Sequence, residues 1–223
     1  MVEPVPVERI EYLRAPIEGF EVDTVPDAPL DLFRTWLADA VAAGLPEPNA
    51  ATLATVDGRG HPSVRLMLVK IVDPRGFCFF TNHGSRKGRD LEESGNAALL
   101  FPWHGMHRQV AVRGTAHRLP RAESEEYFAT RPRGAQLGAW ASQQSQEVSR
   151  AQLDDRVEAL EAHFSPDEPI PMPDHWGGYV LVPEALEFWV GRFSRLHDRI
   201  EYRRTAPGGL DDGACWMRRR LSP

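Results

Sequence analysis

Between Pro29 and Val41 apolar residues return every three or four positions, at Leu30, Phe33, Leu37 and Val41. That spacing predicts a helix with one buried face. Pro29 suits its first turn and Gly44 its stop. The preceding 26 residues carry four prolines and few apolar pairs, which predicts an extended arm. From Ala50 the period changes. Residues 50–56 read as a strand ending at Asp57-Gly58, a hairpin signal. Val64–Ile71 is a second strand, Asp73-Pro74-Arg75-Gly76 a turn, and Phe77–Thr81 a third strand. Ser85 caps a helix over 86–94 that Gly95 ends. Ala97–Phe101 and Gln109–Leu119 are strands four and five. A helix over 121–130 and a loop rich in Gly, Ala, Ser and Gln over 134–148 follow. Ser149 and Gln152 form a capping box for the next helix, with Leu153, Val157, Leu160 and Phe164 on one stripe. Four prolines from Pro166 to Pro173 end it. Strands resume at 178–182, 185–191, 197–204 and 214–221.

Strands that arrive in short-linked runs, without long helices between them, pair antiparallel. The expected fold is therefore α+β and mainly β: one antiparallel barrel with peripheral helices. Residues 1–26 form its arm and residues 27–223 its single domain. Closing a barrel removes exposed sheet edges.

Composition narrows the function classes. A chain of 223 residues buries enough surface to need no disulfide or metal staple. Its longest apolar run, Ala97–Phe101, is far short of the roughly 18 residues of a membrane span. The N-terminus carries Glu3, Pro4, Pro6 and Glu8 where a signal peptide needs a basic end and an apolar run. Cys78 and Cys215 are too far apart in sequence for a CxxC motif. These features predict a cytoplasmic protein. A net charge of −6 argues against a general nucleic-acid binder, although the basic residues are bunched.

No phosphate-loop, dinucleotide, nucleophile-elbow or zinc-protease motif is present. His104 and His107 have a metal-compatible spacing but no third ligand nearby, so no metal is expected. Five stretches carry candidate chemistry. If residues 195–199 form a strand, Arg195, His197 and Arg199 share a face, and an anion or an electron-rich ring would relieve their repulsion. A solvated face paired with acids is the competing reading. Ser85-Arg86-Lys87 opens a helix, where free N–H groups and the dipole favour anions; an ordinary cap followed by solvated basic residues is the competing reading. Arg65 and Lys70 bracket an apolar strand and differ in parity, so they serve different anions or are its wet ends. Gly138–Ser145 offers small residues and neutral hydrogen-bonding groups. Tyr127 and Arg131, four apart, make a phosphate clamp or a plain helix end.

Together these stretches resemble the pyridoxamine/pyridoxine 5′-phosphate oxidases. The matching segments are RLMLVK (65–70), FFTNHGSRKGRDL (79–91), LLFPW (99–103), RQVAVRG (108–114), SEEYFATRPR (124–133), QLGAWASQQS (136–145), WGGY (176–179), EFWVG (187–191) and RLHDRIEYRR (195–204). The resemblance implies a split β-barrel homodimer with FMN in clefts between subunits. By motif matching, FMN is held by Arg65, Leu66, Met67, Leu68, Val69, Lys70, Phe80, Thr81, Arg86, Lys87, Gln109, Gln144, Ser145, Trp189 and Arg199. Lys70, Tyr127 and Arg131 hold the substrate phosphate, and Arg195 and His197 hold the substrate ring as the catalytic pair. The implied reaction converts pyridoxamine or pyridoxine 5′-phosphate to pyridoxal 5′-phosphate, with O2 reduced to H2O2. The alternatives are a related oxidase of phenazine-type metabolism and a non-catalytic carrier of FMN or pyridoxal phosphate. Two departures from the family pattern touch the substrate side. Ala135 stands where the family's clamp has serine, and the N-terminal arm offers only Arg9 and Tyr12 for the family's substrate-covering segment.

Overall fold

The computed structural model describes Tyr12 and residues 20–223. Arg9 lies outside the described residues. Nine strands form one antiparallel sheet: β1 (Ala50–Val56), β2 (Pro62–Leu68), β3 (Ile71–Asp73), β4 (Gly76–Asn82), β5 (Asn96–Trp103), β6 (Arg108–Arg118), β7 (Trp176–Val190), β8 (Asp198–Arg204) and β9 (Trp216–Arg220). The path runs β2-β1-β5-β6-β7-β4-β3, with β8 and then β9 also joined at β7.

The branch at β7 explains the architecture. One edge of β7 pairs with β6 along almost its whole length. The other edge is shared: residues 176–181 pair with β4 and residues 185–190 with β8. Between these two ladders the β6–β7 register shifts at Arg113/Gly114, and a side chain at Gly114 would run into the Val182 carbonyl. Such a bulge bends a strand and raises its twist. The sheet therefore splits into two wings at one long strand. Two separate strands, 178–182 and 185–191, were expected here. Pro183 marks only the bulge between two halves of one strand.

The strand expected over Val64–Ile71 also differs. It breaks at Val69-Lys70, where the chain turns the corner from β2 into β3. The Val69 N–H donates to Asn49 O and the Lys70 N–H to Cys78 O. Covalent continuity, rather than a hydrogen-bond ladder, thus joins the two outer strands.

Among the described residues five helices surround the sheet: α1 (Pro29–Ala42), α2 (Arg86–Ser94), α3 (Arg121–Ala129), α4 (Arg133–Ala141) and α5 (Arg150–His163). α1 covers the core with Leu30, Phe33, Trp36 and Ala40, while Val41 is exposed. The Phe33 ring meets Phe77 and Phe101 edge-on at 4.9 and 5.0 Å. Burying one such ring contributes about 2–3 kcal/mol. Phe20 and Val25 join the same core, so the end of the expected arm is packed. Ser85 caps α2 and Gly95 ends it in the left-handed conformation. Ser149 and Gln152 form the capping box of α5, whose apolar stripe is half-buried. Helix α4 occupies part of the expected 134–148 loop. Its glycines and alanines read as loop from composition, yet Gln136, Leu137, Ala139 and Ala141 are buried. Among the described residues no helix is long and apolar enough to cross a membrane.

Candidate active site

Helix α2 begins where β4 ends, and its entry is tightly set. A side chain at Gly88 would strike the His83 carbonyl, so only glycine lets the first turn sit against the loop. The Ser85 side chain accepts from the Gly88 N–H. The loop after α4 crosses this helix start, and Ser145 Oγ accepts from the Arg86 N–H at 3.1 Å. Lys87 is carried inward and is only 6% exposed. Its Nζ donates to Thr81 Oγ1 and Gln144 Oε1, each at 3.0 Å, and lies 3.4 Å from Ser85 Oγ. All three acceptors are neutral. Burial, with Arg65 nearby, pushes the Lys87 amine down to about 8.

Arg65 lies on β2 with its guanidinium turned inward. It donates to Thr55 Oγ1 at 2.7 Å and Ser63 Oγ at 2.6 Å, and Asp90 is 3.8 Å away. Desolvation lowers its pKa, and Arg86 adds repulsion. Arg131 follows α3. Its guanidinium sits 4.7 Å from the Trp176 ring centre, and its Nη1 is buried without an acceptor. Burial lowers its pKa too. Tyr127 stacks on Phe80 at 3.9 Å, and Phe80 stacks on Trp176 at 5.5 Å. Elsewhere Arg75, Arg118, Arg199 and Arg220 are stabilised as cations by carboxylates. Here Lys87 is buried with neutral partners and Arg131 is half-buried with one buried nitrogen unpaired, a cost that an anion removes, while Arg65 is half-buried beside Asp90.

Two adjoining cavities open beside them. One, about 350 Å³, is lined by Thr81, Asn82, Lys87, Ala135, Ser142 and Gln144. The other, about 420 Å³, is lined by Leu66, Leu68, Lys70, Tyr127 and Thr130. Met67, Phe80, Arg131 and Trp176 line both. Val69 is buried in the core and Leu66 is exposed.

The remaining candidates lie elsewhere. Gln109, Trp189 and Arg199 are paired side by side across β6, β7 and β8. Arg199 is held by Glu187, with Nε and Nη2 each 2.9 Å from a carboxylate oxygen. His197 lies 4.5 Å from the Trp189 ring centre. Its Nδ1 accepts from the Arg192 N–H at 3.0 Å. Arg195 and His197 are not on a strand, contrary to the alternation expected from their spacing. Ser194 and Arg195 adopt positive φ in a short 3₁₀ turn, and β8 begins only at Asp198. The turn still brings the two residues together around Tyr12, whose ring is 5.5 Å from His197 and 5.9 Å from the Arg195 guanidinium.

The structure thus gathers the expected residues into two groups and adds Trp176 to the first. The WGGY segment matches the family, but its residue types alone give the tryptophan no role. An aromatic just before a Gly-Gly pair, where Gly178 leaves room for Phe80, was the available signal. Asn82 has no expected role, and Ser142 is expected only as part of the Gly138–Ser145 stretch. Asn82 Nδ2 donates to Ser142 O and ties the two loops together.

The fold and these groups define a class: an antiparallel split-barrel protein with a desolvated, cation-lined cleft. The chain belongs to the pyridoxamine 5′-phosphate oxidase family. The model of that description matches residues 37–164, and a pyridoxine 5′-phosphate oxidase C-terminal dimerisation region matches residues 176–223. Relatives named pyridoxine/pyridoxamine 5′-phosphate oxidase include that of Salinibacter ruber, 50% identical over 96% of this chain and 97% of that protein. The one from Cupriavidus necator is 53% identical over 91% and 92%. Among solved structures, Burkholderia lata PhzG in complex with tetrahydrophenazine-1-carboxylic acid is 33% identical, with a TM-score of 0.83, covering 94% of this chain and 98% of that one. A pyridoxamine 5′-phosphate oxidase-related, FMN-binding protein of Nostoc punctiforme shares the fold at a TM-score of 0.67 and 17% identity, covering 86% and 97%.

Proposed function

We propose that this chain is an FMN-dependent oxidase that converts pyridoxamine or pyridoxine 5′-phosphate to pyridoxal 5′-phosphate and reduces O2 to H2O2. The observation that carries the reading is a pair of desolvated cations lining two adjoining cavities, with Arg65 close to Lys87: Lys87 is buried among neutral oxygens, and Arg131 has a buried Nη1 without an acceptor. The donor set fits a flavin phosphate at Arg65, Arg86, Lys87 and Ser145, and a second phosphate at Lys70, Tyr127 and Arg131. FMN, when bound, supplies the hydride acceptor and the route for electrons to O2. The chain's own residues bind and orient. Gln144 and Thr81 offer neutral hydrogen bonds, while Arg195 and His197 position the substrate ring. Tyr12, packed between His107, Trp189 and His197, supplies part of the cover from the N-terminal side.

The site is built from two chains. Thr81 pairs with Gly177, whereas Arg199 pairs with Trp189, twelve residues further along β7. At about 3.3 Å per residue the two groups lie about 40 Å apart along the strand. One flavin does not span that path, so a homodimer in which Gln109, Trp189 and Arg199 of one copy complete the cleft of the other fits the geometry. The dimerisation-region match supports the same arrangement. The reading places the dimer in the cytoplasm.

One observation favours a second reading. Ala135 lines the cavity beside Arg131 and provides no hydroxyl, which relaxes the demand for a phosphate and suits a phenazine-type substrate. Turnover of pyridoxine phosphate, pyridoxamine phosphate and a reduced tricyclic acid, compared by H2O2 release, decides between them. Activity on neither B6 phosphate overturns the first reading. FMN binding with no turnover of any substrate assigns a carrier. The two-chain site has its own test: Lys87→Ala and Arg199→Ala chains, unfolded and refolded together, should regain about one quarter of the flavin sites, because half the random dimers are mixed and each mixed dimer has one intact cleft.

A further inference from the structure

The chain has 24 arginines and two lysines, Lys70 and Lys87. Both lysines line the candidate cavities. At every other basic position an arginine supplies the charge. Arginine pairs with anions at least as well as lysine does. A lysine amine differs in its compact head and in its capacity to lose a proton and attack a carbonyl carbon. The two lysines differ from each other as well. Lys70 is exposed at the corner between β2 and β3. Lys87 is buried, faces three neutral oxygens and has no carboxylate partner among the described residues. Its amine, pushed down to about 8, spends part of its time neutral near physiological pH. Arg131 shares the same cavity and carries a buried Nη1 with no acceptor.

We propose that Lys87 is a capture site for phosphorylated aromatic aldehydes, in which its Nζ forms an imine with pyridoxal 5′-phosphate while Arg131 takes the phosphate, in competition with FMN. The inference rests on the oxidase reading, because that reaction releases such an aldehyde. The neutral amine adds to the aldehyde carbon. One proton passes from nitrogen to oxygen on addition and the second as the C–O bond breaks, so that water leaves and the C=N bond forms. No electrons are exchanged with another reactant. Product then meets cofactor at one cradle: chains not yet loaded with flavin are held back when product is abundant, whereas flavin-loaded chains are protected.

The test uses the full-length chain, stripped of flavin, mixed with pyridoxal 5′-phosphate and reduced with sodium borohydride. Intact mass and peptide mapping then locate the adduct on Lys87, Lys70 or the N-terminal amine. The expected result is one adduct per chain, on Lys87, with labelling slowed at least tenfold by saturating FMN and at least tenfold for pyridoxal without its phosphate. Lys87→Arg removes the adduct, and Lys70→Arg keeps it. Labelling confined to Lys70 or the N-terminus overturns the proposal, and so does Lys87 labelling that FMN leaves unchanged. Flavin binding and H2O2 release with pyridoxine phosphate are measured on the same preparation. Turnover without a Lys87 adduct overturns the capture site and leaves the oxidase standing. A Lys87 adduct without turnover upholds capture and removes the oxidase.

Discussion

Arg199 and Glu187 form a two-pronged ion pair between neighbouring strands, with Nε and Nη2 each 2.9 Å from its own carboxylate oxygen. A third donor, Nη1, reaches the Ser222 carbonyl at 2.8 Å. The guanidinium is therefore fixed in plane before any ligand arrives, and an arginine fork held this way loses little entropy on binding. Glu187→Gln removes one prong and the charge. Flavin affinity, measured by fluorescence quenching, should fall roughly three- to tenfold, the equivalent of about 1 kcal/mol. An unchanged affinity would take Arg199 out of the cofactor site.

Lys87 links the site to stability. Its amine is lowered to about 8 in the folded chain, against an ordinary 10.5. Between those values the unfolded chain binds more protons, so stability rises with pH across that window. Below pH 8 the folded chain carries the full cost of a buried charge. Lys87→Met should therefore stabilise the flavin-free protein at pH 7 by about 1–3 kcal/mol, with the advantage shrinking towards pH 10.5. It should also abolish flavin uptake. Thermal melts at pH 7, 9 and 10.5 check both the sign and the window. A variant less stable at pH 7 would contradict the burial argument.

How much was legible in the sequence follows from which signals are local. The Ser85 cap, the Gly95 stop and the Ser149–Gln152 box are local hydrogen-bond chemistry, and the structure has all three. The cations of RLMLVK and SRK were visible as types, but their spacing fitted solvated positions equally well, and only the family resemblance gave them a role as ligands. What failed was non-local. Alternation placed Arg195 on a strand, but positive φ at Ser194 and Arg195 turns the chain. Residues of α4 read as loop, because its helix is stabilised by burying Leu137 and Ala139 in a cluster with Phe128 and Trp176. Tertiary packing overrides weak propensity. Pro183 looked like a strand break, yet the pairing of both halves of β7 with β6 keeps the strand continuous through the bulge.

Ala135 tests the substrate phosphate. It is half-buried on α4 and lines a cavity with Arg131, whose Nη1 is buried without an acceptor. A hydroxyl there adds one donor to a site already rich in charge. Ala135→Ser should lower KM for pyridoxine phosphate by up to about fivefold, or about 1 kcal/mol, with kcat little changed. A higher KM would mean that the cavity is shaped for a different ligand.

His197 carries a pH signature. Its Nδ1 accepts the Arg192 N–H at 3.0 Å, so the neutral ring has its proton on Nε2. Desolvation lowers its pKa, and Arg195 and Arg199 lower it further. The ring is therefore neutral at pH 7 and becomes charged only on the acid side of its ordinary range. Protonation there would set one N–H against another and add a third cation beside two arginines. The expected kcat/KM is level on the alkaline side of neutrality and falls only on the acid side of the ordinary imidazole range. His197→Asn should lower kcat/KM at pH 7 and lose most of that acid fall, while flavin absorbance stays unchanged. Arg195→Ala should cost about one to two decades in kcat/KM at every pH, as expected for one charge-assisted contact of about 1.5–3 kcal/mol. Flavin should remain bound there too, because Arg195 is not among the candidate flavin ligands, which include Arg65, Lys87 and Arg199. If the acid fall persists unaltered in His197→Asn, another group titrates. If Arg195→Ala turns over normally with full flavin, the 3₁₀ turn at residues 193–195 is not part of the substrate site.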